Sequence, residues 1–196
     1  MDAPPRGIGW IEVVCGPMFS GKTEELIRRV RRALYARQRV ELFKPKIDTR
    51  FAEIEIVSHS RQSVSAKPIG SAKDILELAD PKTQVIGIDE AQFFDNELVE
   101  VVQTLADRGL RVIVAGLDQD FRGMPFEPMP ELLAIAEYVT KTLAICMVCG
   151  NPAGRSQRLS RDKEQVVIGA TEAYEARCRR CHTLEEVMPE QPRLFR

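Results

Sequence analysis

Several features are missing from this 196-residue chain, and each absence closes a class of function. Charge imbalance is the first: 28 Lys and Arg stand against 29 Asp and Glu, a formal net charge of −1. No global field therefore marks the chain for nucleic acid. Aromatic residues make up only 6% of it, too few for an extended base-stacking surface. No apolar run reaches membrane-spanning length, and Met1-Asp2-Ala3-Pro4-Pro5 carries no secretory core. A cytoplasmic protein is expected. Internal repeats and low-complexity stretches are absent too. There are two histidines, and His59 reads as a local hydrogen-bonding residue. What remains is one ordinary globular domain, long enough for a sizeable core, with a small appendage.

The strongest positive signal is Gly16-Pro17-Met18-Phe19-Ser20-Gly21-Lys22-Thr23. It fits G-x-x-x-x-G-K-[ST], the phosphate-binding loop. An apolar run, Trp10 to Cys15, precedes it as a buried strand, and Glu24 to Val30 opens a helix after it. Gly16 and Gly21 permit backbone angles that turn successive N–H groups inward around a phosphate. The helix N-terminus adds a positive dipole end. Lys22 brings charge to the β- and γ-phosphates, and the Thr23 hydroxyl can ligate Mg²⁺. The helix is expected to run to about Gln38, with Leu26, Ile27, Val30 and Leu34 inward. Arg28, Arg29, Arg31 and Arg32 read as its solvated or subunit-facing surface.

Val40 to Phe43 reads as a second strand, leading to Lys44-Pro45-Lys46-Ile47-Asp48-Thr49-Arg50-Phe51. Ligands collect at the C-terminal edge of open parallel sheets, which makes Asp48 and Arg50 site candidates. Ile54 to Val57 reads as a short strand, and Ser71-Ala72-Lys73-Asp74 as a capping box opening a helix through Ala79. Val85-Ile86-Gly87-Ile88 then reads as a central strand delivering Asp89 and Glu90 to the same edge. Asp89 suits the Mg²⁺ shell as a Walker-B aspartate does, and Glu90 is free to act as a base on an acceptor or on water. Asp95-Asn96 caps a helix ended by Gly109. Leu110 to Gly116 is another strand, and the aromatic, Gly- and Pro-containing loop Leu117 to Phe126 suits the wall of a pocket for a flat ring. A helix, Glu131 to Tyr138, and a strand, Val139 to Ile145, complete an α/β core with a mostly parallel sheet.

Cys146-Met147-Val148-Cys149 and Cys178-Arg179-Arg180-Cys181 are two knuckle-like pairs suited to one structural Zn²⁺. The gap between them exceeds ribbon spacing, so an extra loop is expected. Ala153 to Leu159 and Glu164 to Gly169 are expected to form a hairpin, leaving Gly169 to Arg177 as the loop. His182 is an alternative ligand to Cys181. Cys15 reads as a small core residue. The domains expected are residues 1–142, binding nucleotide, and 143–196, the zinc-holding lid.

Taken together and in order, these stretches resemble the zinc-containing (type II) thymidine kinases over essentially the whole chain. The phosphate loop is generic, whereas the Lys44–Phe51, Asp89–Phe94, Gly116–Phe126, paired-cysteine and Gly169–Tyr174 stretches together are specific. The resemblance implies a RecA-like P-loop fold, with helices on both faces of the sheet and a zinc-ribbon lasso. It implies transfer of the ATP γ-phosphate to the 5′-hydroxyl of thymidine or deoxyuridine, in nucleoside salvage for DNA synthesis. Glu90 matches the general base, with Arg50 and Asp48 near the transferred phosphate. Gly16 to Thr23, Asp89 and Gln92 match the ATP site. Phe93, Leu117, Phe121, Phe126, Ser156, Gln165, Val167, Gly169 and Tyr174 match the nucleoside site. A homotetramer inhibited by thymidine triphosphate (dTTP) is also implied. Asp89-Glu90-Ala91-Gln92 resembles the second helicase motif as well, but the length, charge balance and lack of an aromatic–basic surface oppose a nucleic-acid motor.

Overall fold

The computed structural model describes residues 7–47, 55–57, 63–159 and 173–184. Its strands are β1 (Trp10–Cys15), β2 (Val40–Pro45), β3 (Glu55–Val57), β4 (Ser63–Ile69), β5 (Val85–Ile88), β6 (Arg111–Gly116) and β7 (Tyr138–Lys141). These form one sheet in the order β3-β4-β2-β5-β6-β1-β7. All neighbours pair in parallel except β3 with β4. The helices are α1 (Lys22–Tyr35), α2 (Asp74–Leu78), α3 (Glu97–Asp107) and α4 (Met129–Ile135).

Alternation along the strands sends each sheet face to its own core. Val14, Leu42, Val85, Ile113 and Ala115 meet Leu26, Val30, Ala33 and Leu34 of α1. Val13, Phe43, Ile86, Ile88, Val112 and Val114 turn the other way, onto residues of α2, α3 and α4. Helices therefore cover both faces, as expected. Gly87 sits under α1 because a Cβ there would lie 2.3 Å from Leu42 Cδ2 and 3.3 Å from Leu26 Cδ1.

Several expectations need correction. Helix α1 stops at Tyr35 rather than Gln38, because Arg37 turns left-handed (φ 59°). Arg37 N then bonds Leu34 O at 2.9 Å, and Gln38 N bonds Ala33 O at 3.0 Å, closing a Schellman cap. Arg29 is not on the solvated face: it is buried against Glu12 of β1. Strand β4 was not expected, since Lys67 and Pro68 interrupt its pattern; Pro68 is tolerated beside Lys44 near the sheet margin. The helix expected from Glu131 to Tyr138 is α4, displaced towards the N-terminus and entered through Pro128.

The strand expected from Val139 to Ile145 is broken at Thr142. Its first part is β7, while β8 (Ala144–Ile145) pairs with β9 (Pro152–Ala153). The first arm of the expected hairpin has a partner that the sequence reading did not foresee. Strand β10 (Arg155–Arg158) pairs with β11 (Tyr174–Arg177), inside the stretch expected to be loop. That register buries Tyr174, Ala176 and Arg177 and feeds β11 straight into Cys178. Glu164 to Gly169 lie outside the described residues, as do Asp48, Arg50 and His59.

Candidate active site

Strands β1, β5 and β6 end side by side, so the turns that leave them share one edge. Gly16 can approach β7 closely only without a side chain: a Cβ would lie 2.3 Å from Thr142 O, and its φ is 147°. Gly21, left-handed at φ 80°, turns the loop into α1. Between them Ser20 Oγ bonds Pro17 O and Thr142 Oγ1, both at 2.8 Å. Lys22 Nζ folds back to donate to Pro17 O at 2.8 Å.

Thr23 Oγ1 donates to Asp89 Oδ2 at 3.0 Å, joining the loop to the end of β5. Burial first, and then the neighbouring Glu90 charge, push the Asp89 carboxyl up to about 7. A divalent cation offsets both causes, and a hydroxyl beside a buried carboxylate is a hard-oxygen donor set of the kind Mg²⁺ takes. Those residues fit Mg²⁺. Glu90 is left-handed (φ 51°), so its side chain departs from that of Asp89. Gln92 Nε2 donates to Glu90 Oε2 at 2.5 Å, and Gln92 Oε1 accepts from Leu117 N at 2.9 Å. The Gln92 amide thus braces the candidate base against the loop after β6.

That loop is internally tied, with Asp120 accepting from Arg122 N at 2.8 Å and Met124 N at 3.0 Å. Phe126 is buried, and its N–H bonds Asp118 O. Phe93 and Leu117 are half-buried. Phe121 and Tyr174 are brought together by a residue not foreseen from sequence. Arg158 lies 3.8 Å over the Phe121 ring centroid and donates to Tyr174 Oη at 2.6 Å. An arginine in a polar strand gives no local sign of such a stack; only the β10–β11 register creates it. Ser156, expected at the nucleoside pocket, directs its hydroxyl to Met18 N of the phosphate loop at 3.0 Å. Gln165, Val167 and Gly169 lie outside the described residues.

The cysteine cluster is compact. Sγ atoms of Cys146, Cys149, Cys178 and Cys181 all lie within 4.8 Å of one another. Cys149 is 3.6 Å from both Cys178 and Cys181. Zn–S bonds of about 2.3 Å in a tetrahedron put sulfurs about 3.8 Å apart, so the four residues fit zinc. Hydrogen bonds from the Asn151 backbone and side chain hold the Cys149 thiol down at about 6, favouring thiolate. His182 is engaged elsewhere, its Nε2 2.8 Å from Phe121 O.

A family model described as thymidine kinase matches residues 9–182, which takes in the phosphate loop, both acids and all four clustered cysteines. The chain belongs to the thymidine kinase family. A thymidine kinase from Rhodothermus sp. (strain ITI 518) is 62% identical over 174 residues, covering 89% of this chain and 81% of that protein. The enzyme is accordingly a phosphotransferase that phosphorylates thymidine, and its use of ATP follows from the family. Within the described residues, no helix of this kinase is long and apolar enough to cross a membrane.

Proposed function

We propose that this thymidine kinase moves the ATP γ-phosphate in line to the 5′-hydroxyl of thymidine or deoxyuridine, with Glu90 as general base. The observation that carries the reading is the two-way split at the end of β5. Asp89 is bonded to Thr23 of the donor loop, and Glu90 is braced by Gln92 toward the Leu117–Phe126 wall.

In-line transfer depends on positioning and charge neutralisation. The loop Gly16 to Thr23 binds the triphosphate through backbone N–H groups other than those of Pro17, which has none, and Met18, which is given to Ser156, and Lys22 exchanges Pro17 O for phosphate oxygens. Asp89 and Thr23 would hold Mg²⁺, which would supply positive charge to offset that of the triphosphate. Glu90 accepts the ribose hydroxyl proton as the oxygen attacks phosphorus. Arg50, with Asp48, is assigned to the transferred phosphate on its motif position alone. Phe93, Leu117, Phe121, Phe126 and Tyr174 enclose the base, with Ser156, Gln165, Val167 and Gly169 completing the site. Residues 143–196 form the lid, anchored by a structural Zn²⁺ on the four cysteines. A fixed anchor under a closing segment lets the site admit nucleoside and then exclude water.

Two further expectations belong to this reading. Thymidine triphosphate carries the acceptor's base and a donor-like triphosphate, which suits it to occupy both half-sites as an inhibitor. Exposed Tyr138, Val139, Leu143 and Ile145 near β7 and β8 support self-association, as a homotetramer. A cytoplasmic setting agrees with cysteines kept as metal ligands.

The deciding experiment assays a nucleoside panel for ATP-dependent monophosphate formation by the purified enzyme. Thymidine and deoxyuridine are the expected acceptors. ATP turnover that rises with single-stranded DNA and ignores thymidine would overturn the reading.

A further inference from the structure

We propose that β10 is a strut coupling the ATP and thymidine half-sites, with the Ser156 hydroxyl as its joint to the phosphate loop. The proposal rests on the assignment of donor and acceptor halves above. Ser156 is 4% exposed, and its Oγ accepts a 3.0 Å hydrogen bond from Met18 N, in the middle of the loop. Alternate residues of a strand share a face, so Arg158 points the same way as Ser156. The Arg158 guanidinium stacks on Phe121 and bonds Tyr174, both residues of the acceptor pocket.

The opposite face of β10 is fixed as firmly. Gln157 Nε2 donates to Thr183 O at 2.9 Å, and Gln157 Oε1 accepts from Thr183 N at 2.9 Å. That clasp holds the strand to the segment just beyond Cys181. Pairing with β11 sets Ser156 opposite Ala176 and Arg158 opposite Tyr174, so neither end of the strand shifts without the other.

Ordering the loop amides around a triphosphate and ordering the aromatic wall around a base thereby become one equilibrium. Linkage then requires each substrate to tighten the other by the same factor. A single neutral hydrogen bond sets that factor at about threefold to tenfold. No hydrogen bond to the nucleoside is needed for this role; Ser156 acts through the loop and is a positioning residue.

The test is calorimetric titration of thymidine into the zinc-loaded full chain, with and without a saturating non-hydrolysable ATP analogue and Mg²⁺. In the wild type the analogue tightens thymidine binding by that factor, and the reverse titration returns the same value. In Ser156→Ala the factor falls to about one, whereas Ser156→Thr, which keeps the hydroxyl, retains it. Arg158→Lys keeps the charge, loses the planar stack and reduces the factor from the other end. A wild-type factor of one overturns the strut. So does a Ser156→Ala variant whose thymidine affinity drops equally with and without the analogue, because that is the behaviour of a plain pocket residue. The kinase reading is judged separately, by product formation in the wild type.

Discussion

Thr23 and Asp89, 66 positions apart, are joined by a 3.0 Å hydrogen bond between hydroxyl and carboxylate. This contact fastens the first turn of α1 to the end of β5 and sets the loop and the acids at a fixed separation. Thr23→Val removes the oxygen and keeps the shape. Its kcat/KM for ATP is expected to fall about a hundredfold, with a raised Mg²⁺ requirement, while Thr23→Ser stays close to wild type. A Thr23→Val enzyme with an unaltered Mg²⁺ titration removes Thr23 from the metal shell.

Glu90 is tested by Glu90→Gln, which preserves the amide-accepting shape and abolishes the base. The expected result is a kcat lower by about a hundredfold or more, with ATP affinity little changed. Near-normal turnover would assign the base elsewhere.

The α1 ion pairs predict acid sensitivity. Hydrogen bonding from Arg28 first, and pairing with Arg29 as well, hold the Glu25 carboxyl at about 2 against its usual 4.5, despite some burial. A depressed folded-state value stabilises the protein at pH above the unfolded value, and that contribution is lost as pH falls through the folded one. Glu25→Gln is therefore expected to cost about 1 kcal/mol near neutrality. The cost should disappear between about pH 4.5 and pH 2. Urea denaturation of both proteins across that range checks it; a difference that grows on acidification contradicts it.

Removing the metal, or making Cys149→Ser, is expected to loosen β8 to β11 and leave the parallel sheet folded. Hydrogen exchange should rise in residues 144–158 and 174–184, and the KM for thymidine should rise more than that for ATP. Equal protection of both parts in a zinc-free, fully active enzyme refutes the anchor.

Gly87→Ala puts a methyl group against Leu42 and Leu26. Overpacking there is expected to lower stability by about 1–3 kcal/mol. Thermal unfolding measures it, and an unchanged midpoint means that α1 yields more readily than its packing implies.

Strands β1, β5 and β6 were legible because central parallel strands are buried on both faces and read as continuous apolar runs. The turn from β1 into α1 and the placing of Asp89 and Glu90 at the end of β5 were legible because each is local, set by a fixed glycine spacing and by one strand end. Other features depend on partners distant in sequence. Arg29 looked solvated until Glu12 supplied its counter-charge at 2.7 Å. Burial works against the Glu12 charge, but bonds from Arg111 and Trp10 and the guanidinium charges of Arg111 and Arg29 outweigh it. Tyr174 looked like loop because β11 is short and polar, and only pairing with β10 makes it strand. The Arg158 stack and the His182 contact with Phe121 likewise exist only once that register is set.

Thr142 gives a consequence of another kind. It follows the last residue of β7, bonds Cys15 O through both its N–H, at 2.8 Å, and its hydroxyl, at 3.0 Å, and seats Ser20. A chain cut after Lys141 would retain every strand of the parallel sheet, yet it would lose Thr142 and, with β10, the Ser156 contact to Met18. The parallel sheet with its phosphate loop is therefore not a portable module. Its phosphate loop is completed by Thr142 and Ser156, from the segment that runs through β8 to β10, so the sheet and that segment have to be transplanted or redesigned together.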